Sequence, residues 1–238
     1  MGLILNIETS TMVCSVCISR NGELIGIKES NEEKSHAKKL TIFVDELMKE
    51  NGFNYSDLDA VAISKGPGSY TGLRIGVSTA KGLCYAKNIP LIAINTLQAM
   101  ANGLIRKVKS KEIIIEHFED SVLVPMIDAK RMEVYSAFFN SKGEMVRDVK
   151  AEIIDEGSYL EVLKKQKVIF FGDGSEKIHD VIKHHNAEFI KKINPSAKDM
   201  IELSEQMFKI KKFEDVAYFE PFYLKDFIAT VPKKNIFK

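Results

Sequence analysis

Two glycine-rich turns carry the residues best suited to hold an anion. The first lies in the run KGPGSYTGLRIG at residues 65–76. Gly66 and Gly68 can take positive φ without a Cβ penalty, and Pro67 fixes φ between them. Ser69 and Thr71 can cap the free N–H groups of a following helix. Such a helix start carries partial positive charge and suits a phosphate or a carboxylate. The same residues serve equally as a tight strand-to-helix turn without a ligand. The run has neither the Gly-Lys-Ser/Thr ending of a P-loop nor a GxGxxG fingerprint. The second turn, Gly172-Asp173-Gly174-Ser175, answers Gly66, Pro67, Gly68 and Ser69 in the other half of the chain.

Other reactive side chains are poorly spaced for chemistry. Cys14 and Cys17 spell C-x-x-C, but residues three apart on a strand point to opposite faces, and no second pair completes four zinc ligands. His36 and His117 stand alone, and His179, His184 and His185 lack metal-ligand spacing. No G-x-S-x-G elbow surrounds Ser69.

The elements that position the two turns repeat. Residues 3–7 read as a buried strand. Residues 13–19 and 23–30 form a hairpin around Asn21-Gly22, a strong turn pair. Ser35 caps a helix that Asn51-Gly52 stops near residue 50. A strand at 60–64, the glycine turn, a helix over 71–87, a strand at 91–94 and a helix from about 96 follow. The second half repeats the order: strand 122–127, hairpin 132–140 and 145–154, helix 155–165, strand 168–171, a glycine turn and helix, a strand near 187–190, and a helix after Pro195. Glu23-Leu24 falls on Glu144-Met145, and the same offset carries Val13 onto Val134 and Ser15 onto Ser136. Glu8 falls on Asp128 with one residue less. The sequence therefore predicts an α/β protein of two β-β-β-α-β-α subdomains facing a cleft, divided at 1–104 and 105–238, with the tail from about 213 packing back on the first.

Composition narrows the function classes. The 238 residues are 45% hydrophobic and 28% charged, ordinary for a globular protein with a real core. A net charge of +1 argues against gripping RNA unaided. No apolar run approaches the ~20 residues of a membrane span. The first residues, MGLILNIETS, lack a basic n-region, and with three cysteines the cytoplasm is the expected compartment. Lys233, Lys234 and Lys238 read as a solvated tail.

The helix over 71–87 is too apolar for one exposed face. Leu73, Val77, Ala80 and Cys84 make a stripe that Gly72, Ile75, Gly76, Thr79 and Leu83 continue. This surface spans about 200°, whereas a surface helix needs about 100°. Either both faces are buried within the chain, or one awaits a partner. Leu40, Phe43, Val44 and Leu47 on the preceding helix extend the same surface, and two helices from each of two chains would make a four-helix contact. On the partner reading, a bulky side chain at Gly76 blocks association and leaves the monomer folded.

The runs ILNIETST, KSHAKKL, KGPGSYTGLRIGVSTAKGL, IPLIAINTL, IDAKRMEVYSAFF and PFYLK together resemble the Gcp-like, threonylcarbamoyladenosine branch of the actin/sugar-kinase/Hsp70 superfamily. The resemblance is close over roughly the first 100 residues and patchier after Phe139. It implies a duplicated ribonuclease-H-like, actin-like ATPase fold and a role in making threonylcarbamoyladenosine on tRNA. It also implies pairing with a catalytic paralogue, TsaD, joined by a small ATPase, TsaE, with tRNA met through the complex and a homodimer formed when the chain is alone. The pairing residues would be His36, Leu40, Phe43, Val44, Leu47, Gly72, Leu73, Gly76, Thr79, Ala80 and Leu83. The superfamily's phosphate turns would fall on Glu8, Ser10 and Thr11, on Gly66, Gly68 and Ser69, and on Gly172 and Gly174. Ser10 crowds the first of these turns, so ATP or ADP is expected only at the level of the complex, with no tightly bound cofactor. The catalytic paralogue carries N-H-x-x-x-H, whose histidines hold a metal. Here Thr96 and Met100 follow Asn95 at those places, a pair that offers a hard cation nothing, so no metal is expected. A stand-alone ATP-using phosphotransferase or an M22-type peptidase of the same superfamily is the alternative.

Overall fold

The computed structural model describes residues 2–32 and 36–225. The Ser35 cap and the lysines at 233, 234 and 238 lie outside the described residues. In the first half, β1 (Leu3–Glu8), β2 (Cys14–Arg20), β3 (Glu23–Ser30), β4 (Ala60–Gly66) and β5 (Leu91–Asn95) form one sheet in the order β3-β2-β1-β4-β5. In the second, β6 (Val122–Asp128), β7 (Glu133–Phe139), β8 (Met145–Ile153), β9 (Val168–Phe171) and β10 (Ala187–Ile190) form another in the order β10-β9-β6-β7-β8. In each sheet an antiparallel meander is extended by parallel strands. The expected duplication is thus present at the level of the sheets.

Local chemistry explains the elements. The strand β1, LILNIE, is buried throughout because it lies centrally and is covered on both faces. Asn21 and Gly22 both take positive φ, +57° and +83°, which a two-residue hairpin of the right twist requires. Helix α1 (His36–Glu50) and helix α2 (Tyr70–Lys87) cover one face of the first sheet, and Asn88 in the left-handed region ends α2. Cys14 packs with that core, whereas Cys17 joins Ala197 and Ile201 on the opposite face, as strand geometry demands.

The register differs from a constant offset. Ser15 pairs with Glu8, but Val134 rather than Ser136 pairs with Asp128. The two-residue shift keeps every side chain on its own face. The helices of the second half are also shorter than expected. Over 155–165 only α4 (Leu160–Leu163) is helical. Asp155 Oδ1 accepts from Gly157 N (3.0 Å) and Ser158 Oγ (2.9 Å), a local turn that outcompetes helix at a Gly-Ser pair. After the second glycine turn, α5 (Asp173–Glu176) is a single turn.

The halves exchange their last helices. Helix α3 (Thr96–Lys109) sends Leu97, Met100, Ala101, Leu104 and Ile105 into the core of the second sheet. Helix α6 (Ile201–Lys209), after a 3-10 turn at Ala197–Met200, packs Leu203, Met207 and Phe208 on the first. A boundary at residue 104 therefore falls inside a helix whose apolar face serves the other half. Buried polar contacts fix the crossing. Ser204 Oγ donates to Asn6 Oδ1 (2.7 Å), Ala197 N donates to Ser15 Oγ (2.8 Å), and Arg106 pairs with the buried Asp199 (2.9 Å).

Replacing Ser204 with alanine leaves Asn6 Oδ1 buried without that donor. The Ser204→Ala variant is expected to lose about 1–3 kcal/mol of unfolding free energy in urea. A loss below about 0.3 kcal/mol would show that this bond does not hold α6 on the sheet.

Candidate functional site

The first glycine turn sits where β1 and β4 end and α2 begins. Ser69 caps α2, accepting from Gly72 N (3.3 Å), while its own N–H donates to Ser10 O (2.6 Å). The turn at residues 9–10 lies directly against α2. A Cβ on Gly68 would collide with the Ser10 carbonyl, one on Gly72 with the Thr9 carbonyl, and one on Gly76 with the Thr9 hydroxyl. Gly66 holds φ +104°, and its hydrogen face meets Leu73 and the Phe222 carbonyl. The glycines are needed because the chain's own backbone fills the space beside each of them.

Glu8 is the electrostatic centre of this region. It is fully buried; its Oε1 accepts from Ser10 N (2.6 Å) and Ser64 Oγ (3.0 Å), and its Oε2 has no partner. Burial raises its carboxyl above the ordinary value, against the lowering effect of those bonds. Thr9 Oγ1 and Ser10 Oγ are likewise buried without partners, while Thr11 is buried with its Oγ1 accepting from Val13 N (3.3 Å).

The second turn is filled in the same manner. Gly172, at φ +97°, faces the Met126 carbonyl and the Met100 methyl, and Gly174 faces the backbone of Ile127 and Asp128. Asp173 Oδ1 accepts from Asp128 N (3.0 Å), and burial raises its pKa. Both turns thus need glycine for packing alone, whatever they bind. A Cβ at these glycines would strike the chain's own atoms, and a buried carboxyl group, Glu8, stands beside the first turn.

Asn95 caps α3, its Oδ1 accepting from Gln98 N (3.1 Å). Thr96 and Met100 are fully buried, Met100 in the core of the second sheet. Cys14, Cys17 and Cys84 are free, buried thiols. Desolvation raises the Cys14 pKa to about 11 and that of Cys84 to about 12, and holds Cys17 well above its usual value. Among the described residues no helix is long and apolar enough to cross a membrane.

The pairing surface is narrower than the sequence suggested. His36 is buried with Nε2 at 3.2 Å from Val13 O. Leu40, Val44 and Leu47 lie in the core of their own sheet, and Leu73, Gly72, Gly76 and Ala80 are buried beneath α2. The small residues on this helix serve the turn at 9–10, not a second helix, so a bulky side chain at Gly76 strikes the monomer itself. Phe43, Ile75, Thr79 and Leu83 remain half-buried at the outer face, with Gly82 in open space and Ile42 and Tyr85 exposed.

A strap from Glu214 onward crosses the same region, as expected of a tail from about 213 that packs back on the first half. Glu214 N donates to Leu91 O (2.9 Å), Lys81 Nζ donates to Ala217 O (3.1 Å) and Phe219 O (2.9 Å), and Phe222 N donates to Lys65 O (2.7 Å). Tyr223 packs on Tyr70 with ring centres 5.0 Å apart, and Lys225 pairs with Glu133 of the second sheet. Irregular backbone without hydrophobic periodicity leaves its individual contacts unreadable from the sequence.

A protein from Escherichia coli K12, the tRNA threonylcarbamoyladenosine biosynthesis protein TsaB, is 30% identical over 235 residues, covering 95% of this chain and 96% of its own length. The chain belongs to the TsaB family. The related family model described as TsaD, tRNA N6-adenosine threonylcarbamoyltransferase, matches residues 19–233. The Bacillus subtilis tRNA N6-adenosine threonylcarbamoyltransferase is 31% identical over 123 residues, covering 44% of this chain but only 36% of that protein. The solved structure of YeaZ from Pseudomonas aeruginosa superposes with a TM-score of 0.75 at 25% identity, over 94% of this chain and all of that one. The two-sheet fold is thus common to that structure and to this chain.

Two outcomes test the packing. Gly72→Ala and Gly76→Val are each expected to destabilise the isolated chain by about 2–3 kcal/mol, while Gly82→Ala stabilises it by up to about 1 kcal/mol through helix propensity. Equal thermal midpoints for all three variants would refute the close approach of α2 to the turn. Glu8 supplies the second. Its carboxyl binds a proton more tightly folded than unfolded, so its contribution is full in acid and declines as pH rises through the raised folded value. As pH rises above the ordinary carboxylate range the wild type should therefore lose stability relative to Glu8→Gln. A pH-independent difference would contradict the assignment.

Proposed function

We propose that this chain is the non-catalytic subunit of the bacterial machinery that makes threonylcarbamoyladenosine on tRNA. It pairs with the catalytic paralogue TsaD, TsaE joins the pair, and tRNA is met through the assembly. The observation that carries the reading is the match to a TsaB over nearly the whole of both chains. The site chemistry supports it. Where the paralogue's pattern places two histidines at helical spacing, this chain has Thr96 and Met100, both buried and neither able to hold a hard cation. The glycine turns are filled by backbone, so the chain alone lacks a cradle for ATP, and a nucleotide would need groups from the partner.

The docking face is the outer side of α1 and α2. Phe43, Ile75, Thr79 and Leu83 supply half-exposed apolar area, and Gly82 and Ala86 add little bulk on the same helical face. A second pair of helices laid here would complete a four-helix contact. With TsaD absent, a second copy of this chain uses the same face.

The reading predicts the behaviour of one substitution. Gly82→Arg adds bulk and charge into open space on α2 and should leave the monomer at least as stable. It should weaken association with TsaD by at least about 100-fold in sedimentation or calorimetry. It should also abolish tRNA modification reconstituted from TsaD, TsaE and threonylcarbamoyl-AMP. Full pairing by this variant would remove α2 from the interface, and modification that proceeds equally without this chain would overturn its role as a required subunit.

A further inference from the structure

The strap over residues 214–225 lies along the side of α2 and carries an aromatic ring into solvent there. Glu214 N donates to Leu91 O (2.9 Å), which sets the strap on the free edge of β5. Val216 and Phe219 then pack on the core of the first half. Lys81 Nζ on α2 donates to the carbonyls of Ala217 (3.1 Å) and Phe219 (2.9 Å), the residues on either side of Tyr218. Asp215 closes the turn from the other side. Its Oδ1 accepts from Ala217 N (2.8 Å) and Tyr218 N (3.2 Å), and its carbonyl accepts from Phe219 N (2.8 Å). Tyr218 is thus held by its backbone in a pinned turn while the residue stays 85% exposed.

Helix geometry brings a second phenol to the same seam. Successive helical residues turn by about 100°, so Tyr85 stands about 40° from Lys81 and about 60° from Gly82. It therefore lies between the strap and the outward face of α2, and it is 86% exposed. Single exposed apolar side chains are ordinary on a protein surface, but two rings beside one seam make a patch. Phe222 and Tyr223, each more than a third exposed, continue it along the strap. Tyrosine suits an interface, because it brings a large ring and a polar tip with only two torsions to order.

The outer sides of α1 and α2 are too small to make a whole interface. A standard interface engages about 20–30 residues a side, whereas the outward halves of a 15-residue and an 18-residue helix give roughly 16. The strap adjoins α2 and supplies the difference. Its pinned turn also spends little ordering entropy when a partner binds.

We infer, on the reading that this chain pairs with TsaD, that the docking face continues across α2 onto the strap. Tyr85 and Tyr218 anchor TsaD there, each entering an apolar recess that offers its phenol a hydrogen-bond acceptor.

The test is calorimetric titration of TsaD with the full chain and its variants, with self-association followed alongside by sedimentation. Tyr85→Ala and Tyr218→Ala should each weaken TsaD binding at least about tenfold. Both side chains are exposed, so the thermal midpoints should stay within a few degrees of the wild type. Ile114→Ala is the control. Ile114 is as exposed as Tyr85, but its neighbours Ile113 and Ile115 pack on the second sheet, and its loss should change the affinity less than about twofold. Failure of the wild-type chain to bind TsaD would overturn the pairing and the strap's part in it together. Impaired binding by Gly82→Arg with full affinity in either tyrosine variant would keep the face on the helices and overturn its extension to the strap. A tenfold loss in Ile114→Ala, or tyrosine variants that lose self-association yet bind TsaD fully, would overturn the extension as well.

Discussion

The structure depends on one close approach: the glycine face of α2 against the backbone turn at residues 9–10. The helix carries Gly72 and Gly76 one turn apart, and Gly68 precedes it. Gly68 and Gly72 let the carbonyls of Ser10 and Thr9 lie where side chains would otherwise stand, and Gly76 does the same for the Thr9 hydroxyl. That contact sets the height of α2 above the sheet. It also aligns Ser69 N with Ser10 O and brings Ser64 and Ser10 onto the buried Glu8 carboxylate. Dense packing of backbone on backbone offsets the cost of three buried polar atoms left without partners, each worth about 1–3 kcal/mol.

The same approach changes what the turn can do. A glycine-rich helix start is an anion site only when its N–H groups face open space. Here two of those groups already have acceptors, in Ser10 O and Ser69 Oγ, and an acidic side chain lies immediately behind them. Anion geometry and glycine content are kept, while the cavity they normally frame is closed by the protein itself. The second turn shows the same substitution, with the Met126 carbonyl and the Met100 methyl in the space beside Gly172. Met100 supplies that methyl from α3, so a helix serving the second sheet packs directly on its glycine turn.

Much of this was legible in the sequence, and the failures have physical causes. Strand positions followed from apolar runs and turn pairs, because Asn21-Gly22 and the buried run at residues 3–7 leave few alternatives. The glycine turn and the Ser69 cap followed from local stereochemistry. The role of the small residues on α2 did not. Periodicity shows that a helix is small and apolar over a wide arc, but it cannot say whether the second face meets a partner or the chain's own turn. The exchange of α3 and α6 between sheets was equally hidden, since an amphipathic helix carries no mark of which sheet receives it. The shortened α4 could have been anticipated, because Asp155, Gly157 and Ser158 spell a turn within the expected helix.

These contacts make α2 a stiff platform. Its inner face is fixed by the turn at 9–10, its start by Ser69, and its far side by Lys81, which grips two carbonyls of the returning strap. The strap then crosses Lys65 and reaches Glu133, so the first glycine turn is tied to both sheets at once. An enzyme of this architecture needs its two halves to open and close on a ligand. A chain whose halves exchange helices, fill their own turns and are joined across the cleft by a strap is suited instead to holding one surface in a fixed shape. A rigid surface spends less ordering entropy when a partner binds. The glycines that seat α2 on the turn at 9–10 are therefore also the ones that hold the outer face of α1 and α2 in a fixed shape.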